Sequence, residues 1–232
     1  MIFGREEIRR YELNWAGQWV NYNPDLINKK AGEYASLGHE YYFTSPKILV
    51  RRTGNYVLAV PDFKGYFVSN NQFVLLKKSQ PLEPKKEKEK PPSLFYLAGI
   101  LNSNFMTWYF RSVQPVVGNL FPELKINHIH DFPLPSLDFG KARDKSDHDQ
   151  MVALVKRMME LLPQPRKVVS EHDKRTLESP IQATEYAINQ LVYKLYQLAD
   201  EEIEMIEKEI LNNPPPKKLS KRHVHPLPKL EF

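Results

Sequence analysis

The chain has 232 residues, 41% of them hydrophobic and 12% aromatic, which is enough apolar material for one large domain, or one with an appendage, and excludes a disordered chain. It contains no cysteine, which excludes disulfides, thiolate metal sites and cysteine nucleophiles and fits a reducing compartment, a bacterial-type cytoplasm being the expectation. The net charge is +5, and residues 1–135 hold all of the excess (17 Lys/Arg against 12 Asp/Glu, with 16 of each afterwards), a balance that attracts polyanions but is equally met by ordinary solvation.

The opening MIFGREEIRR carries charges where a signal peptide needs an apolar stretch, and no later run approaches the ~18 apolar residues of a membrane span, so no membrane partner is expected. Residues 1–80 read mostly as short strands. Trp15, Trp19 and Tyr22 come first, and Asn23-Pro24-Asp25 marks a turn or a helix start. Lys47 to Arg52 is strand-like, Thr53-Gly54-Asn55 supplies a turn, and Tyr56 to Val60 resumes as a strand, which predicts a hairpin. Gly65–Val68 and Gln72–Leu76 are the next two expected strands, rich in the residues that a half-buried pleated surface accepts.

Residues 81–92 (PLEPKKEKEKPP) read as a mobile surface loop, because three glutamates dilute four lysines and no apolar anchor is present. From Ser93, a candidate N-cap, Leu94, Leu97, Ala98 and Leu101 recur at helical spacing, and an aromatic run then leads to Arg111. A second helix is expected over 148–162, with Met151, Val155, Met158 and Leu162 in one stripe and Pro163 and Pro165 ending it. A third is expected over 181–198, with Ile188, Leu191, Val192 and Leu195 on one face. A fourth, over 200–211, opens on Asp200, Glu201 and Glu202, which suit a helix N-terminus. Residues 212–232 hold five prolines and five Lys/Arg and read as a disordered basic tail.

The chemistry-bearing patterns are few. Methyl transfer needs a Gly-rich strand-helix turn for its cofactor and, for adenine, an Asn/Asp-Pro-Pro-aromatic segment; the nearest strings, Asn213-Pro214-Pro215 and Asn23-Pro24, lack the aromatic partner. Asp62, Glu123 and Lys125 imitate a magnesium nuclease triad, but a helix intervenes and Glu123 follows Phe121-Pro122 rather than a strand. His128 with His130, and His223 with His225, are His-x-His pairs without a placed carboxylate or thiol to complete a zinc shell; His128 and His130 read as outward-facing surface residues. No nucleophile elbow or phosphate-cradling glycine loop occurs, so no catalytic residue, metal or cofactor is assigned. Lys47, Arg51, Arg52, Lys64, Asn70, Asn71, Arg111 and Lys125, interleaved with tyrosines, remain. Arg and Lys hold phosphates and Asn reads adenine edges, although plain solvated surface accounts for the same residues.

Several segments in order resemble a known family. They are Gly4-Arg5-Glu6-Glu7-Ile8-Arg9-Arg10-Tyr11, Pro46 to Gly54, Phe67-Val68-Ser69-Asn70-Asn71, Leu97-Ala98-Gly99-Ile100-Leu101-Asn102-Ser103, Lys125-Ile126 and Phe132-Pro133-Leu134-Pro135. Together they resemble the TaqI-like C-terminal specificity domain, the target-recognition part of adenine-specific DNA methyltransferases and fused restriction-modification enzymes. Ile188 to Leu198 and Asp200 to Ile203 resemble the family's C-terminal helices, so the resemblance covers most of residues 1–211.

It implies an α+β protein: a mixed, strand-rich target-recognition domain over 1–135, in which Lys125 to Pro135 closes the sheet, followed by C-terminal helices over 136–211. Those helices would pack on the first part or dock a partner, the exposed part of the Met151 stripe being the candidate docking face, with the basic tail over 212–232 assigned no role. The implied function is sequence-specific recognition of double-stranded DNA beside a methyltransferase or endonuclease subunit or domain, this chain lacking a methyltransferase domain of its own. Lys47, Arg51, Arg52 and Lys125 would hold phosphates, and Asn70, Asn71 and Arg111 would reach the groove. The alternatives are an orphan domain that binds only protein, and the magnesium nuclease.

Overall fold

Ile48-Leu49-Val50 is an apolar run with two faces to fill, and a computed structural model of the protein places it in the centre of a sheet. The structure describes residues 1–2, 7–32, 37–77, 91–113, 122–164 and 170–214. Strand β3 (Lys47–Arg51) pairs antiparallel with β4 (Ala59–Asp62) on one side and with β5 (Gln72–Leu76) on the other. Because side chains alternate, Ile48 and Val50 enter the main core, while Leu49 faces a smaller cluster with Ile2, Ile8, Val60 and Val68. A small ribbon of β1 (Ile8–Arg9) and β2 (Glu12–Leu13) joins β4 through Tyr11, whose N–H donates to the Ala59 carbonyl.

The predicted hairpin is present, but its second strand is displaced. Tyr56 and Val57 precede the pairing, Leu58 enters it through its carbonyl, which accepts from the Arg51 N–H (2.9 Å), and β4 runs on through Pro61, which an edge strand tolerates. Residues 65–68 do not form the expected strand. The Asp62 carboxylate accepts from the backbone N–H of Lys64 (2.8 Å) and Tyr66 (2.9 Å), and Gly65 takes a φ of +77°, which folds the segment into a turn. Only Val68 makes a bridge, to Ile2. Earlier, Asn23 caps a 3-10 turn (Pro24–Leu26), as the Asn23-Pro24-Asp25 reading expects, while a second 3-10 turn (Lys29–Ala31) and a short helix α1 (Tyr41–Thr44) stand where short strands are expected.

Helix α2 (Leu94–Leu101) starts where Ser93 Oγ accepts from the Phe95 N–H, as the N-cap reading requires. Its end explains the LAGILNS string residue by residue. Asn102 and Ser103 are both fully buried. Asn102 Oδ1 accepts from the Ala59 N–H (2.9 Å), and its Nδ2 donates to the Ala59 carbonyl (2.8 Å) and the Ala98 carbonyl (2.9 Å). One carboxamide thus serves as a strand partner for β4 and as a C-terminal clasp for α2. Ser103 Oγ accepts from the Met106 N–H and so starts α3 (Asn104–Val113).

Gly99 is the third fixed element of that string. A Cβ there would stand 2.9 Å from Met151 Cγ and 3.1 Å from Val155 Cγ2 of α5 (Ala142–Leu161), so the missing side chain sets the approach of the two helices. Gly99→Val is expected to cost about 2 kcal/mol by overpacking. Urea unfolding checks this: with Met151→Ala present the extra penalty should shrink, because the nearer of the two clash partners is gone.

The helices after residue 135 join the main core rather than standing apart. Met151, Val155 and Met158 are buried there, as are Ile188, Leu191 and Val192 of α6 (Glu171–Leu195) and Ile206 and Ile210 of α7 (Asp200–Asn212). The three leading residues of the Met151 stripe are therefore core, and only Leu162 is half-buried. Helix α5 begins six residues earlier than predicted and α6 ten earlier, the latter with Pro180 inside it. The described side chains between His172 and Ser179 are largely exposed, and the register of α6 is set further on, where Asn189 Oδ1 caps α3 through the Asn104 N–H (2.9 Å). Tyr193 donates to Glu207 of α7, and burial, helped by that carboxylate, pushes its phenol above the usual range. The loop predicted at 81–92 and the basic tail fall almost wholly outside the described residues, as do Gly4-Arg5-Glu6.

Candidate nucleic-acid interface

Strand β3 has a charged residue at each end on one face, Lys47 and Arg51, and the structure treats both as interior. Lys47 is fully buried, ion-paired to the equally buried Asp62 across the β3–β4 register, and donates to the Phe43 carbonyl. Its ammonium does not reach solvent, so Lys47 leaves the set of surface cations. Arg51 is also buried, with its guanidinium beneath the turn at Gly54, whose φ of +130° only glycine adopts readily.

The next residue behaves differently. Arg52 is about two-fifths exposed at the end of the sheet and ties three segments together. Its Nε pairs with Glu123, its Nη1 donates to the Asn70 carbonyl (3.3 Å), and its guanidinium carbon lies 5.9 Å from the centre of the Phe73 ring. The backbone follows the same plan: Arg52 N–H donates to the Asn71 carbonyl, Leu124 N–H to the Arg52 carbonyl, and Gly54 N–H to the Pro122 carbonyl. Exposed Asn70, Asn71 and Lys125 therefore gather around Arg52.

Lys125 does not belong to a closing strand. It caps a short helix, α4 (Ile126–His130), because His128 Nδ1 reaches back to accept from the Lys125 N–H (3.0 Å). Half-buried His128 thus has a capping role, and the alternating-surface reading of the His128/His130 pair fails, since residues two apart on a helix diverge. Among the described residues no group of three or more His, Asp or Glu side chains is placed to hold a metal ion.

Two predicted residues lie elsewhere. Lys64 is exposed on the Asp62 turn, toward the opposite end of the sheet. The Arg111 side chain is only 12% exposed and acts as a staple: it stacks over Tyr56 (4.4 Å to the ring centre), donates to the carbonyls of Asn55 (3.0 Å) and Asn213 (3.1 Å), and faces Glu209 (3.6 Å). The nuclease triad is not assembled. Asp62 pairs with Lys47 at the start of β3 and Glu123 bridges Thr53 beyond its end, a separation of roughly 20 Å along an extended strand.

Chemically, the Arg52 end offers guanidinium and ammonium donors for phosphate and two carboxamides of the kind that pair with base edges. Glu123, read from sequence only as a nuclease carboxylate, is instead the counter-charge of Arg52. No local signal marks that pairing, because 71 residues separate the two. Sequence reading names Trp19 without assigning it a role, yet it is 84% exposed and meets Trp15 edge-on at 5.0 Å, and it passes over the half-exposed Tyr41, Tyr42 and Phe63. Among the described residues no helix is long and apolar enough to cross a membrane. Residues 1–134 match the family model described as the TaqI-like C-terminal specificity domain, which leaves α5 to α7 outside the match. No curated protein matches the chain.

Proposed function

Because the chain belongs to the family of TaqI-like C-terminal specificity domains, DNA-recognition modules of restriction-modification systems, we propose that the Arg52 end of its sheet selects a sequence in double-stranded DNA. The observation that carries this reading is the convergence of Arg52, Asn70, Asn71 and Lys125 from three separate segments. Arg52 and Lys125 hold backbone phosphates, Arg52 exchanging part of its contact with Glu123 for the phosphate oxygens. Asn70 and Asn71 present carboxamides to base edges, a geometry suited to adenine. Lys64 is a peripheral phosphate contact. Arg51 and Arg111 support the surface from beneath, and a methyltransferase or endonuclease subunit or domain acts on the DNA so selected.

Fluorescence anisotropy with short duplexes tests the proposal. Arg52→Ala with Lys125→Ala should weaken binding to every duplex alike at low salt and lower the salt slope by about two, close to one for each phosphate no longer neutralised. Asn70→Ala with Asn71→Ala should instead relax preference at one or two base pairs, by about 1–3 kcal/mol each. Absence of binding, or binding without a salt slope, would overturn the proposal and favour a domain that binds only protein. Arg51 is kept out of the test because its buried side chain would confound binding with stability.

A further inference from the structure

Glu123 places a negative charge on a face that gathers cations for phosphate, and stability does not account for it. Its backbone is held without help from the side chain. Residue 123 bridges Thr53, the Gly54 N–H donates to the Pro122 carbonyl (2.9 Å), and the Leu124 N–H donates to the Arg52 carbonyl (2.7 Å). Both side chains of the Arg52–Glu123 pair are more than a third exposed, and an ion pair so solvated adds little to folding. Toward DNA the carboxylate works against affinity, because it offsets one of the two cations beside it, Arg52 and Lys125.

The direction of that carboxylate is set by its neighbours. Leu124 is buried and the Lys125 backbone is extended, so Glu123 and Lys125 turn to the side away from Leu124. Only one carboxylate oxygen is engaged. Oε1 accepts from Arg52 Nε, whereas Oε2 has no donor among the described residues. Arg52 Nη1 donates to the Asn70 carbonyl (3.3 Å), so one guanidinium holds the Glu123 carboxylate beside the segment that carries exposed Asn70 and Asn71. Arg52 Nη2 has no acceptor among the described residues and is left to take a phosphate while Nε keeps the carboxylate in place.

From this geometry we infer that Glu123 reads a base: its Oε2 accepts from the exocyclic amine of a cytosine in the major groove, next to the base edges met by Asn70 and Asn71. A carboxylate only accepts, so it pairs with amine donors and repels the oxygens of guanine and thymine. The adenine amine lies between N7 and the thymine O4, and both repel a carboxylate. The cytosine amine has one such neighbour, the guanine O6. A group that penalises the wrong base pairs raises specificity while lowering affinity, which is the role a lone carboxylate on a phosphate-binding face can fill.

The inference rests on the DNA reading above, and the experiment separates the two. The native chain, Glu123→Gln and Glu123→Ala are each used to select duplexes from a randomised library, and the enriched sequences are titrated by fluorescence anisotropy. The native chain should favour cytosine at one position by about tenfold. Glu123→Gln keeps the shape and gains a donor, so it should move that preference to adenine. Glu123→Ala should reduce it to less than about twofold, with the preferences at other positions kept. A uniform gain in affinity with every base preference unchanged would leave Glu123 as a counter-charge and overturn this inference. The DNA reading would stand in that case if Asn70→Ala with Asn71→Ala still relaxed a preference. A native chain that favours other bases but cytosine nowhere would also overturn this inference alone, and binding without any base preference would overturn both.

Discussion

Asp62→Ala is expected to lower the unfolding free energy by about 3–5 kcal/mol, the usual cost of leaving a buried charge without its partner. Asp62 and Lys47 are both almost wholly excluded from solvent, and the same carboxylate also accepts from the N–H groups of Lys64 and Tyr66. Removing it strands the Lys47 ammonium between α1 and β3 and undoes the turn that presents Lys64. Replacing both partners, Lys47→Met with Asp62→Leu, should recover much of the loss but not all of it, since the two backbone donors stay unmet. Urea unfolding followed by tryptophan fluorescence measures both variants. The same series separates structure from binding at Lys47. Lys47→Met should shift the unfolding midpoint and leave the DNA salt slope unchanged wherever the variant is folded, whereas a slope lower by about one would return Lys47 to the phosphate contacts.

The second large effect is at Asn102. Asn102→Ala should cost about 3 kcal/mol, because the Ala59 N–H loses its partner in the dry interior and the Ala59 and Ala98 carbonyls each lose a donor. Asn102→Asp should be worse, although it is closer in shape: a carboxylate still accepts from the Ala59 N–H, but it faces two carbonyl oxygens without protons to offer and adds a buried charge. The order Asn, then Ala, then Asp in unfolding midpoint is the check, and an aspartate variant as stable as the native chain would contradict the clasp. Because Ala59 pairs with Val50, two residues before Arg52, loss of the clasp should also loosen the sheet end that carries the candidate interface.

What sequence made legible follows from the range of the forces involved. Helix α2 could be placed because its N-cap, apolar spacing and terminal polar pair are all encoded within a dozen residues. Strands β3 and β5 could be placed because their β-branched and aromatic runs have no competing period. The strand predicted over 65–68 failed because one carboxylate, Asp62, bound two backbone donors and made a turn of a segment whose composition favours pairing. The closing strand at Lys125 failed because His128 capped a helix that five residues could not announce by periodicity. Helix α6, expected only from 181, runs through Pro180 because the packing of its later turns overrides that residue's local cost.

The sequence alone determined the class of the protein, its strand-then-helix order and, through the ordered segments that end in LAGILNS, its family. The class and the order rest on composition, local capping and short apolar repeats, which act between near neighbours, and the family rests on the resemblance of the ordered segments. Only the tertiary structure decided which charges are available. It placed Lys47 and Arg51 inside, turned Arg111 into a staple, and gave Arg52 a partner 71 residues away while collecting Asn70, Asn71 and Lys125 around it. The reason is physical: the fate of a cation depends on which acceptors the folded chain brings within about 4 Å and on whether water remains beside it, and neither quantity exists until distant segments meet.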